Sequence, residues 1–162
     1  MTSTLDLGSR NGGLGKALSN FMPYSFVMDG VQCGGIEGWL QSLKHEGLEE
    51  QEIIAALVGY RAYKVGQIGN DWRKTQTLWW RGTAYPRLSR EYHLLVERAY
   101  DLCFDQNPAF RDCLLDTGTD LMTHVIGNHD PTMTTLTETE YIYNMYRLRA
   151  RAQQWMMSTA TP

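Results

Sequence analysis

Glu37, Gln41 and Lys44 recur at i, i+4 and i+7, a spacing that brings a carboxylate, an amide and an ammonium group to one side of a helix. A carboxylate in that setting can stabilise a developing positive charge or orient a water molecule, and the ammonium can hold an anionic group. Upstream, Ser19-Asn20-Phe21 lies between the apolar anchors Leu18 and Met22, and Gly34-Gly35 permits close approach of a ligand or of backbone just before the helix. On spacing alone the stripe reads first as a solvated helix face. The polar loop and the glycine pair weigh toward a small hydrolytic site.

Other chemistry finds less support. His124, His129 and Asp130 are metal-ligand types, and Gly127-Asn128-His129-Asp130 is similar to one loop of the metallophosphoesterases, but none of the four histidines stands in the Asp-x-His that such sites need. No metal is expected. Gly15-Lys16 fails as a phosphate loop because Arg10 and Ala17 occupy positions that require Gly and Ser or Thr. Gly-x-Ser-x-Gly is absent, and no cysteine has a Cys-His context, which removes acyl transfer. Trp79 and Trp80 are adjacent, so in an extended run they point to opposite faces; one can pack inward while the other stacks on a planar ligand.

The elements that must position these residues are mostly helices. Phe26–Met28 and Val31–Cys33 flank Asp29-Gly30, a pair suited to the positive φ of a hairpin turn. A helix is predicted from near Ile36 to near Gly47, and a second from Leu48 to Val58 with Ile53, Ile54, Leu57 and Val58 facing the core. Tyr60 to Leu88 reads as a long irregular connection, with a strand and turn over Thr77–Gly82. Ser89 caps a strong amphipathic helix, Pro108 opens another that ends at Gly118, and Thr137 with Glu140 has the spacing of a capping box before the final helix. Residues 1–15, rich in glycine, are expected to form a flexible arm ahead of a single domain spanning 16–157. The fold class is α+β, predominantly helical, with short strands and a hairpin near the N-terminus.

Length and charge bound the function further. A chain of 162 residues can bury a core without disulfides or a structural metal, and a net charge of -3 argues against a broad basic surface for duplex binding. Three cysteines with no Cys-x-x-Cys spacing suit a reducing compartment, and no apolar run approaches the ~20 residues of a membrane span. A soluble cytoplasmic protein is expected.

Taken together, several ordered motifs resemble the NADAR family, which includes N-glycosidases acting on riboflavin-pathway intermediates and on ADP-ribosylated guanine. The resemblance runs from about Leu18 to Arg149. It rests on Ser19-Asn20-Phe21 with Pro23, Asp29-Gly30, Glu37 with Gln41 and Lys44, Trp80-x-Gly82 leading to Arg87-x-Ser89, and Leu114-Leu115 with Thr117-Gly118. His124, Gly127, Asp130 and Leu136-Thr137 resemble the branch that lacks a Trp-Gly-rich ending. Gly38 departs from the family, which commonly has His there, and Thr119-Asp120 departs from the residue type usual after the glycine.

The resemblance implies hydrolysis of the bond between ribose C1 and a base-like nitrogen, without metal or cofactor. It implies Glu37 as the catalytic carboxylate, with Asp130 sharing the work as base or ribose anchor. Ser19, Asn20, Phe21, Gln41, Lys44, Trp80 and His124 are the implied substrate-binding residues, with Trp80 stacking on the heterocycle. The implied partner is an ADP-ribosyl or ribosyl-phosphate substrate, free or as modified guanine in nucleic acid. A noncatalytic module that binds NAD or ADP-ribose is the alternative.

Overall fold

Asp29 and Gly30 adopt φ of 49° and 78°, the left-handed pair that lets β2 (Phe26–Met28) turn directly into antiparallel β3 (Val31–Cys33). In the computed structural model, which describes residues 2–160, this hairpin is one of three two-stranded sheets set among eight helices. The α+β class and the predominance of helix hold.

β1 (Thr4–Asp6) pairs in parallel with β6 (Leu121–Thr123), and Leu7 is wholly buried. The glycine-rich arm expected to be flexible is therefore part of the fold, because Leu7 supplies an apolar anchor and the backbone finds its partners in β6. A short helix, α1 (Gly13–Ala17), leads into the Ser19–Phe21 loop.

α2 (Ile36–Ser42) ends five residues before the expected stop and has no solvent face: all seven of its residues are buried. It packs against β3, α3 (Leu48–Ala55), α4 (Gly59–Gly66) and α6 (Arg90–Gln106). Such enclosure needs backbone-to-backbone approach on one side, and Gly38 provides it. A Cβ there would lie 2.7 Å from the Ala55 carbonyl oxygen and still closer to that of Leu57. Any side chain at this position, histidine included, has no room.

The stretch 60–88 is more regular than expected, since α4, α5 (Trp72–Thr75) and the hairpin β4 (Thr77–Trp80)–β5 (Thr83–Pro86) occupy most of it. α3 buries only part of its predicted apolar group: Ile54 is buried while Ile53 is exposed. Buried Gln51 on α3 donates to the Trp79 carbonyl at 2.9 Å and accepts from the Arg81 amide at 2.9 Å, which fixes the second hairpin to the helices. The later helices start as their caps dictate. Ser89 accepts from the Tyr92 amide at α6, Pro108 opens α7 (Pro108–Asp116), and a complete Thr137–Glu140 capping box opens α8 (Glu138–Thr159).

The wholly buried Arg87 side chain forks onto Glu140 at 2.6 and 3.2 Å, and its Nε donates to the Thr134 carbonyl at 2.9 Å. Tyr92 lies under the guanidinium, 4.9 Å from ring centroid to Cζ, and its hydroxyl donates to the Thr135 carbonyl. Segment 134–137 is thereby pinned in place.

Replacing Gly38 by Ala should destabilise the protein by about 1–3 kcal/mol, because the collision is with backbone rather than with a flexible side chain. Thermal unfolding checks this: the midpoint should fall by roughly 2–4 °C per kcal/mol, and an unchanged midpoint contradicts the packing described for α2.

Candidate active site

A cavity of about 400 Å³ opens between the N-terminal segment, α2, the end of α4 and the segment 124–137. Its size falls in the usual ~300–1,000 Å³ range of small-molecule sites. Seven of the residues singled out from sequence line it: Ser19, Asn20, Phe21, Glu37, Gln41, Lys44 and His124. The Ser19–Phe21 loop and α2 converge on one space.

Glu37 is buried, not solvated, because the helix that carries it is enclosed. Its amide donates to the Asn20 carbonyl at 3.2 Å, which ties the helix start to the loop. Oε1 accepts from Gln41 Nε2 at 2.8 Å, and Oε2 has no hydrogen-bond partner among the described residues. Burial raises the carboxyl above its ordinary range, against the opposing pull of the Gln41 hydrogen bond and the Lys44 charge. This is an isolated acid in a cavity, with one oxygen uncommitted.

Lys44 donates to the Gly66 carbonyl at 2.9 Å and to Asn70 Oδ1 at 3.0 Å, so its ammonium is held rather than swinging free. Burial lowers it to about 8, with Glu37 acting to raise it and the nearby Arg73 to lower it further. Arg73 also lines the cavity, and its Nε donates to the Met133 carbonyl at 3.1 Å. Two neighbouring cations and the Asn70 amide suit an anionic group.

Two implied site residues fall elsewhere. Trp80 is buried in the core, edge-on to Trp39 at 6.0 Å, with its indole N–H donated to Asp29 Oδ2 at 2.7 Å. It braces the first hairpin against the second and does not line the cavity. Asp130 is exposed; its Oδ1 accepts from the Thr132 amide at 2.9 Å and hydroxyl at 2.7 Å, an Asx turn that lowers its pKa and holds the loop. It too lies outside the cavity lining.

Besides His124, the aromatic groups in its lining are Phe21, Tyr63, Trp72 and Tyr141, Trp72 with a buried N–H that lacks a partner. Phe21 and Tyr63 lie 6.1 Å apart at a tilt of 45°. Tyr63, Asn70, Trp72 and Arg73 were missed in the sequence because they sit in the stretch read as irregular; the Tyr-x-x-Tyr spacing from Tyr60 was the available signal for α4. Among the described residues no group of three side chains is arranged to hold a metal, and no helix is long and apolar enough to cross a membrane.

Fold and cavity together define an α+β domain built around an enclosed helix that presents a carboxyl to a polar cavity. The chain belongs to the bacteriophage protein GP30.3 family, whose model matches residues 14–150. It is 38% identical over 136 residues to an uncharacterized 17.1 kDa protein from the Gp30–rIII intergenic region of Enterobacteria phage T4, a match spanning 82% of this chain and 88% of that protein. In fold it is similar to the E. coli protein YbiA, known from an NMR structure, with a TM-score of 0.65 and 16% identity over 100% of this chain and 91% of that one.

A carboxyl whose folded pKa is raised contributes stability below its unfolded value of about 4.3 and loses it as pH rises through the folded value. Glu37→Gln should therefore be at least as stable as the wild type near pH 8, with the difference shrinking toward pH 4. Melting curves across that range check it. A variant that is less stable at pH 8 than at pH 4, relative to wild type, contradicts the burial argument.

Proposed function

We propose that this protein is an N-glycosidase that hydrolyses the bond between ribose C1 and a base-like nitrogen, removing ADP-ribose from ADP-ribosylated guanine or cleaving a related ribosylated heterocycle. The observation that carries this reading is Glu37, a buried carboxyl with one uncommitted oxygen in a cavity that also holds Lys44 and Arg73. The ordered motifs that resemble the NADAR family support it, and the fold likeness to YbiA is consistent with it.

Base departure leaves positive charge on the ribose. Burial disfavours an ionised Glu37, and a cation growing beside it relieves that penalty, so the carboxylate stabilises the transition state more than the neutral ground state. It is also the group to orient the attacking water. Lys44 and Arg73 take the phosphate, the free amide nitrogen of Asn20 serves ribose oxygens, and Phe21, Tyr63 and Trp72 supply the stacking surface first assigned to Trp80. Asn20 Oδ1 is already committed to the Tyr100 hydroxyl at 2.9 Å, which fixes the orientation of that amide.

Glu37→Gln should lower kcat on ADP-ribosylated guanosine by about 10²–10⁴ while ADP-ribose still binds; chromatography of released guanine reads this out, and unchanged turnover sinks the assignment. Turnover should also depend on pH from both sides. It falls as acid protonates Glu37, and binding of the anionic substrate weakens as pH rises through about 8, where Lys44 loses its proton. A KM that stays flat from pH 7 to 9 would remove Lys44 from anion binding.

The paired cations Lys44 and Arg73 equally suit a noncatalytic NAD or ADP-ribose module. Incubation with NAD, ADP-ribose and ADP-ribosylated guanosine separates the readings, because saturable binding without product favours the module.

A further inference from the structure

Residues 2–13 precede the stretch that matches the family model, yet Gly8 and Ser9 form part of the cavity wall. Asp6 joins this segment to the opposite loop. Its Oδ1 accepts from the Val125 amide at 2.9 Å and the Thr123 hydroxyl at 3.0 Å, and Asn11 Nδ2 reaches its Oδ2 at 3.1 Å and its carbonyl at 2.6 Å. The Leu7 amide donates to the Thr123 carbonyl at 2.8 Å. These bonds bracket His124 from both sides.

The Leu7 carbonyl oxygen lies 2.6 Å from His124 Nδ1. A carbonyl only accepts, so Nδ1 must carry a proton, and in the neutral ring Nε2 is left as an acceptor. Nε2 has no hydrogen-bond partner among the described residues, and the ring, which lines the cavity, is held edge-on to Tyr141 with centroids 5.0 Å apart.

We propose that the N-terminal strand is a positioning element of the site: through Asp6 and the Leu7 carbonyl it fixes His124 as the Nδ1–H tautomer and offers Nε2 to a donor hydroxyl of a ribose-like ligand. Asp6 is a positioning residue, acting through the 123–125 backbone; His124 Nε2 is the atom that meets the ligand. The identity of the ligand rests on the proposed function, whereas the tautomer does not.

Long-range proton–nitrogen NMR of the full-length protein tests both parts. Wild type should show a protonated Nδ1 and an unprotonated Nε2 on His124, and titration with ADP-ribose should shift Nε2. Asp6→Ala should mix the tautomers and weaken ADP-ribose binding about tenfold, the loss of roughly one hydrogen bond. Asp6→Asn, which retains an acceptor oxygen for Val125 and Thr123, should keep most of both properties and stands in if the alanine variant does not fold. An Nε2–H tautomer in wild type overturns the proposal, as does an Asp6→Ala protein with unaltered tautomer and affinity. ADP-ribose that binds without moving Nε2 overturns the ligand role. Absence of any ADP-ribose binding overturns the proposed function instead, and the tautomers of wild type and variant then decide the positioning on their own.

Discussion

The structure turns on the enclosure of one short helix. With seven residues and no face in solvent, α2 can exist only where neighbouring backbones approach it closely, and Gly34, Gly35 and Gly38 are the positions at which the Ala56, Met22 and Leu57 carbonyls do so. A helix surrounded in this way cannot turn Glu37 toward water. The carboxyl instead faces the cavity, where desolvation raises its pKa and leaves it to be satisfied by Gln41 and by whatever enters. Packing and chemistry are thus the same constraint seen from two sides.

The far wall depends on a second buried charge, met differently. Arg87 is fully enclosed but forked onto Glu140, whose pKa is lowered: burial opposes the charged form, and the hydrogen bonds from Arg87 and Thr137 outweigh it. A paired ion of this kind contributes little net stability, but removing one partner would strand the other. Its effect is placement, since the same guanidinium and Tyr92 hold the carbonyls of Thr134 and Thr135, and that segment lines the cavity. The Arg87–Glu140 pair is satisfied so that the wall stands still; Glu37 keeps one carboxyl oxygen uncommitted inside it.

Local chemistry was legible in the sequence wherever one residue type has one use. Asp29-Gly30 specified a hairpin, Ser89 and Thr137 specified helix starts, and Pro108 a first turn, each because the backbone at that point accepts few alternatives. The loop Ser19–Phe21 and the stripe Glu37, Gln41, Lys44 were legible as a group. What failed was long-range. The glycine-rich arm looked unable to order because its partners, Thr123 and Val125, lie 117 and 119 positions away. Trp80 and Trp72 are indistinguishable by type, and only the tertiary packing of β4 against the first hairpin and of α5 against the cavity shows which indole is spent on Asp29 and which reaches the cavity. Asp130 looked like chemistry because an Asx turn and a catalytic carboxylate use the same residue.

The central claim is that Glu37 is the carboxyl that meets the reacting carbon. A crystal structure of the full-length Glu37→Gln variant with ADP-ribosylated guanosine tests it most directly. Ribose C1 should lie against the residue 37 side chain, with phosphate at Lys44 and Arg73. Density that places C1 away from residue 37, or beside a different carboxylate, would contradict it.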